Sequence, residues 1–211
     1  MRCAVLAVGF LLMSACATEP VEEPSFTTRL AARDFEVRDY APTIVAEITV
    51  QGDPWSARFE GFGPLADYIF ATDRSGEKIA MTAPVTQAPR EKIAMTAPVT
   101  QQSAGSGEAG SGEEWVIGFT MPASYSMATL PAPVDPDVKL VEVPARAMAV
   151  LSFTGLATED DMQAASTRLL DEVARANLQP KGDVVFAFYD PPWILPFFRR
   201  NEAMVEVAAA Q

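Results

Sequence analysis

Short runs of apolar residues, most of them alternating with polar ones, recur along the chain. They lie at Phe35–Tyr40, Thr43–Val50, Trp115–Met121, Val138–Val143, Arg146–Phe153, Val184–Tyr189 and Ala203–Val207. A period of two is what a strand with one buried face requires, and these runs are rich in β-branched and aromatic residues. Two other stretches place apolar residues every three or four positions, as helices do. Over 55–71 these are Phe59, Phe62, Leu65, Ala66, Ile69 and Phe70. Gly63-Pro64 interrupts that run, so Pro64 either opens a shorter helix or kinks a longer one. Over 158–176 they are Met162, Ala165, Leu169, Leu170, Val173 and Ala176. Thr158 supplies the N-cap there, and Glu159, Asp160 and Asp161 suit the first turn.

One stretch occurs twice. Residues 77–87 read EKIAMTAPVTQ, and 91–101 repeat them without a change. Ile79, Met81, Ala83 and Val85 alternate with Ala80, Thr82, Pro84 and Thr86, which predicts a half-buried strand; Pro84 implies an edge or a bulge. Either the copies compete for one strand position, or they form a hairpin turning through 87–91. The hairpin register pairs Val85 with Ile93, Ala83 with Met95, Met81 with Ala97 and Ile79 with Val99, apolar against apolar throughout. The hairpin is the expectation adopted.

Residues 35–121 and 138–207 then share one order: two strands, a helix, two or more strands. That order predicts an α+β fold, an antiparallel sheet with helices packed on it, and two such halves can close into a barrel-like sheet without exposed edges.

Composition narrows the chemistry. Among 211 residues there are 16 Lys and Arg against 28 Asp and Glu, a net charge of −12 with no basic cluster, which argues against nucleic-acid binding. There is no histidine, so Ser-His-Asp and Cys-His catalysis and histidine ligation of zinc or haem iron are excluded. The only cysteines, Cys3 and Cys16, precede the folded part, so it contains neither a disulfide nor a thiol nucleophile. Ser75, Lys78 and Lys92 lack any spacing that makes a Ser-Lys pair. Asp160-Asp161 fits a helix start, and Met81, Met95 and Met162 fall on apolar faces that suit packing.

The first sixteen residues, MRCAVLAVGFLLMSAC, have a basic start, an apolar run too short to span a bilayer, and small residues before Cys16. This resembles a bacterial lipobox, with Met13 where Leu is commoner; an ordinary signal cleaved near Ala17 is the alternative. The expected organisation is a signal at 1–15, a flexible acidic tether at 16–32 beginning at lipidated Cys16, and a folded domain at 33–211. A lipid anchor and tether imply a membrane-held protein facing water.

Aromatic residues gather in two places, each beside arginines: Phe59 and Phe62 near Arg58, and Trp193, Phe197 and Phe198 near Arg199 and Arg200. Such residues either fill a core, with the arginines paired to carboxylates, or form an apolar cleft suited to a flat ligand carrying carboxylates.

Three blocks carry a resemblance: KIAMTAPV, WVIGFTMP with the following LPAPVDPDVKLVEVPAR, and YDPPWILPFFRRNEAMVEV. From Phe35 to Val207 the chain resembles the SOUL/haem-binding protein family. The resemblance implies a distorted antiparallel β-barrel with two flanking helices, built from two similar halves. It implies non-catalytic binding of haem or a related porphyrin in an apolar groove beside the first helix, for carriage, buffering or sensing. By position the groove involves Arg58, Phe59, Phe62, Leu65 and Ile69, with Trp193, Arg199 and Arg200 from the loop near the C-terminus. Some family members are thought to ligate iron through histidine; here Tyr or Met would have to do so. The family fold also resembles the effector-binding domains of some bacterial regulators. With the lipobox, the expected place is the cell envelope, on the periplasmic side of the outer membrane. The competing expectation is an envelope protein that binds a protein partner or another small ligand and no tetrapyrrole.

Overall fold

The computed structural model describes residues 21–72, 76, 78–89 and 114–208. Nine strands alternate with two helices: β1 (Phe26–Ala32), β2 (Phe35–Tyr40), β3 (Thr43–Gln51), α1 (Pro54–Phe70), β4 (Val85–Pro89), β5 (Glu114–Thr120), β6 (Lys139–Val143), β7 (Arg146–Thr154), α2 (Glu159–Arg175), β8 (Pro180–Phe188) and β9 (Arg200–Val207). The strands form one antiparallel sheet in the order β1-β2-β7-β9-β8-β4-β5-β3-β6. It curls without closing, leaving β1 and β6 as edges.

The order contains the twofold relation expected of the halves. Exchanging β2, β3, β4 and β5 for β6, β7, β8 and β9 reverses the list and leaves it unchanged, apart from β1. Each half also lends its first strand to the other: β2 pairs with β7, and β6 with β3.

Both helices lie on the convex face, each over one half. α2 begins at a capping box, with the Thr158 hydroxyl accepting from the Asp161 N–H and the Asp161 carboxylate accepting from the Thr158 N–H. It buries Met162, Ala165, Leu169 and Val173 against β7, β8 and β9, including Leu151, Phe186 and Val205. α1 runs through Pro64, so the longer of the two expected helices is the one formed. It starts at Asp53, whose carboxylate accepts from the Trp55 and Ser56 N–H groups, with Pro54 at the first position, where no N–H is needed. Its buried stripe is Ala57, Gly61, Leu65, Tyr68 and Ile69, packed on β3 and β5.

Small residues in that stripe bring α1 close to the sheet. A Cβ added at Gly61 would sit 2.7 Å from Cγ1 of fully buried Ile117. Gly61→Ala gains about 1 kcal/mol of helix propensity but overpacks a site that cannot give way, at about 1–3 kcal/mol. The expected result is a net loss of stability on urea denaturation; a gain would mean that Ile117 yields.

Three expectations change. The tether 16–32 loses its second part, because 26–32 form edge strand β1 against β2, fastened by the Arg29–Asp39 ion pair at 2.5 Å. Before it, the Glu22 carbonyl accepts from Ala83 N–H at 3.0 Å and the Glu22 carboxylate from Ala123 N–H at 2.8 Å. The repeat's first copy is a strand only from Val85 onward. Met81 is exposed and Thr82 buried, donating its hydroxyl to the Thr120 carbonyl, so the expected alternation fails before Pro84. Proline has no N–H for a ladder, and pairing resumes after it. The second copy lies outside the described residues. The hairpin register nevertheless has no place for it at Val85, whose two sides are taken by Phe119 of β5 and Phe188 of β8. The end of the first copy, from Val85, is therefore part of a central strand between the halves.

The concave face holds a polar centre. Glu202, 1% exposed, accepts from Arg38 Nη1 at 3.0 Å, from Arg38 Nη2 at 3.1 Å and from the Tyr189 hydroxyl at 2.6 Å. Arg38 also donates to Glu36 at 2.6 Å and to the Tyr40 hydroxyl at 3.1 Å. Met148, Val150, Ala187 and Met204 surround the group.

Candidate ligand-binding site

The first turns of α1, the segment 155–157 and the loop 190–199 meet at one end of the convex face. Trp55 and Phe59 project from α1 one turn apart, with ring centroids 5.1 Å from each other. Phe62 stands on the same flank and meets the edge of Phe119 at 5.3 Å. All three rings are substantially exposed. They form an aromatic shelf beside the helix's buried stripe.

Arg58 lies between the shelf and the second half. Its guanidinium stacks over Phe188 at 3.9 Å, lies 5.1 Å from the Trp55 ring, and donates to the Ala157 carbonyl at 3.1 Å. Its Nε is buried without a partner. Among the described residues it faces no carboxylate, and burial, with the positive charge of Arg199 adding to it, pulls its pKa down to about 10. The free protein therefore solvates this cation poorly, and an anion brought beside it would be strongly favoured.

A second orphan lies close to the same helix start. Gln87, fully buried at the end of the MTAPVTQ block, donates Nε2 to the Pro54 carbonyl at 2.8 Å, while its Oε1 has no partner. A buried donor and a buried acceptor left open at one helix end each cost about 1–3 kcal/mol, relieved by a ligand group or an ordered water.

The loop wall is rigid by composition and by bonding. Pro191, Pro192 and Pro196 restrict it, and Pro196–Phe198 is a 3-10 turn whose Pro196 carbonyl accepts from Gly155 N–H at 3.0 Å. Arg199 turns inward, donating Nε to the Ile194 carbonyl at 2.7 Å and Nη2 to that of Pro192. Trp193, Phe197 and Phe198 stand outward at 80%, 63% and 69% exposure.

Four of the expected residues thus meet on one flank or beside it: Arg58, Phe59, Phe62 and Arg199. Three do not belong there. Leu65 and Ile69 are 0% and 1% exposed, because in the later turns of the helix they occupy the stripe packed on the sheet. Arg200 is a residue of β9 and turns to the concave side, stacked on Tyr189 at 3.4 Å and paired with Glu23 at 2.6 Å. Alternation along a strand sends the side chains of Arg199 and Arg200 to opposite faces. Trp193 lies on the outer side of the loop. Two contributors were missed. Trp55 was legible from its spacing of four before Phe59. Gln87 had a weaker signal, an amide closing the MTAPVTQ block.

A cavity of about 640 Å³ lies elsewhere, beside β3 and β6 and the segment before β1. Glu22, Glu23 and Glu142 line it with Met121, Tyr125 and Met127, and no Lys or Arg does. A ligand bearing carboxylates is repelled there and favoured at Arg58. The described residues hold no group of three or more metal-ligating His, Cys, Asp or Glu side chains, and none of the shelf side chains is an iron ligand.

The family model described as SOUL heme-binding protein matches residues 21–206. No curated protein matches. Among solved structures, the chain resembles the EcmrR C-terminal domain with a TM-score of 0.60 and 10% identity, over 83% of this chain and 98% of that one. It resembles a hydrolase from Listeria innocua with a TM-score of 0.54 and 11% identity, over 85% and 94% of the two chains. At these identities the likeness is one of fold alone.

Proposed function

The chain belongs to the SOUL haem-binding protein family, and on that premise we propose that it binds a tetrapyrrole non-covalently on the shelf of Trp55, Phe59 and Phe62. The observation that carries this reading is Arg58: a half-buried cation whose Nε is an open buried donor, with no carboxylate among the described residues and an exposed aromatic surface on its flank. A flat macrocycle covers the rings while one propionate reaches Arg58, and Arg199 borders the opposite side. Charge-assisted hydrogen bonding and stacking supply the affinity. With no histidine in the chain and no iron ligand on the shelf, recognition is of the macrocycle and its acids. The role is carriage, buffering or sensing, without catalysis.

Titration of the protein with haemin and with metal-free porphyrin tests this. Both produce a saturable Soret change at one equivalent, with similar affinities. Absent binding, or binding that Phe62→Ala and Arg58→Ala leave unchanged, sinks the reading and favours a protein or other small-molecule partner.

We further propose that Cys16 carries a lipid that holds the domain at the envelope, in the outer membrane and facing the periplasm, as its position after Ser14-Ala15 suggests. Membrane fractionation decides this point: a Cys16→Ser chain moves to the soluble fraction, and one that stays with membranes refutes lipidation.

A further inference from the structure

We propose that the outer side of the loop 191–198 inserts into the interfacial layer of a lipid bilayer containing anionic headgroups. Residues 191–198, PPWILPFF, contain no charge, no amide and no hydroxyl side chain. Trp193, Leu195, Phe197 and Phe198 are 80%, 57%, 63% and 69% exposed, an uninterrupted apolar projection of the kind that marks an interaction surface. Phe197 and Phe198 pack on each other, with ring centroids 4.5 Å apart, and Trp193 contacts no other ring among the described residues. Prolines and the Arg199 bonds hold these side chains out, so little ordering entropy opposes insertion. Trp and Phe are the side chains suited to that layer.

Two observations select a membrane as the occupant. The first is local charge. The chain is acidic overall, yet Arg199 borders the loop with no carboxylate partner among the described residues, and Asp190 at its base is bonded to Arg200 N–H. A guanidinium behind an apolar tip matches headgroup phosphates above acyl chains. The second is reach. Glu23 pairs with Arg200, directly after the loop, at 2.6 Å. Cys16 lies seven residues upstream of Glu23, at most about 25 Å of extended chain. A lipid there would keep the loop within range of the surface. This contact is distinct from any anchor and does not require the tetrapyrrole reading.

The test uses the full chain, without porphyrin, mixed with vesicles of phosphatidylcholine and phosphatidylglycerol whose acyl chains are brominated. Tryptophan emission is quenched, and Trp193→Phe removes most of that quenching. The double variant Leu195→Asp, Phe197→Asp lowers loop insertion, read as quenching against lipid concentration, by roughly tenfold or more. Both variants change surface residues, and retained far-ultraviolet circular dichroism separates lost insertion from lost folding. Unquenched emission in these vesicles overturns the proposal. So does quenching that survives Trp193→Phe, or a concentration-dependent dimer, abolished by the double variant, in place of quenching. Equal quenching with phosphatidylcholine alone overturns the role given to Arg199. Porphyrin titration in vesicle-free buffer reads the tetrapyrrole site separately, so either idea can fail while the other stands.

Discussion

Glu202→Ala lowers the stability of the fold by about 3–5 kcal/mol, because it strands a buried arginine. Arg38 loses two hydrogen bonds, and among the described residues Glu36, on the same strand, is left as its only carboxylate partner. The Tyr189 hydroxyl loses its acceptor as well. The pair as a whole contributes far less than the single variant suggests, since two desolvated charges offset most of their mutual attraction. The double variant Arg38→Met, Glu202→Leu therefore recovers most of the loss. Urea denaturation of the two singles and the double measures the coupling; a loss below about 1 kcal/mol in Glu202→Ala would contradict the account. Alkaline pH probes the same centre. Burial, and then the negative charge of Glu202, hold the Tyr189 hydroxyl well above its usual 10.0. The folded state thus keeps a proton that the unfolded chain releases near pH 10. This contribution to stability is complete below that pH and falls as pH rises above it, by up to about 1.4 kcal/mol per unit. Arg58, with a lowered value, slopes the other way. Subtracting the profile of Tyr189→Phe from that of the wild type cancels Arg58 and leaves the tyrosine's decline; parallel profiles would disprove it.

Arg58→Leu weakens porphyrin binding by about 1.5–3 kcal/mol, roughly 10- to 150-fold, the range for a hydrogen bond to a charged group. Its effect on the free protein is small. Leucine removes a half-buried cation that has no counter-ion among the described residues and a buried Nε that lacks an acceptor there, both unfavourable in the free state. Against this stand the lost stacking on Phe188 and the lost bond to Ala157, each of the order of 1 kcal/mol. The net change in stability stays within about 1 kcal/mol of zero. Weak binding with an intact melting transition is the signature of a residue kept for a ligand. A variant that loses stability and keeps its affinity would mark Arg58 as structural. The contrast with Glu202 is informative. Glu202 is buried and Arg58 half-buried, but among the described residues only Glu202 has a counter-ion.

Much of this was readable from residue order alone. Each strand expected outside the repeat is present within a few residues, because one-sided burial imposes a period of two on the chain itself. α2 is present from the Thr158 cap onward, since a capping box is local chemistry between residues three apart. That Phe59 and Phe62 lie beside Arg58 was visible in the sequence, and the family resemblance implied a groove there. What failed depended on contacts distant in sequence. Leu65 and Ile69 share their helix with Phe59 and Phe62, and only the position of β5 turns one pair inward and leaves the other out. Arg199 and Arg200 are adjacent and chemically alike, yet the start of β9 divides them between two faces of the sheet. Residues 26–32, FTTRLAA, lacked the marks of a strand and became one because β2 offered an unpaired edge.

The sequence by itself determined the elements, the family, the absence of histidine chemistry and the arginine–aromatic groups from which a site is made. The tertiary structure alone decided that the end of the repeated block's first copy, from Val85, joins a central strand with both edges filled, and that Gln87 at its end lies buried near the start of α1. It also decided that Arg58 meets no carboxylate among the described residues. The physical reason is range. Periodicity, capping and turn preference act between neighbours, whereas edge occupancy, burial and the pairing of a charge depend on which distant strands and helices come together.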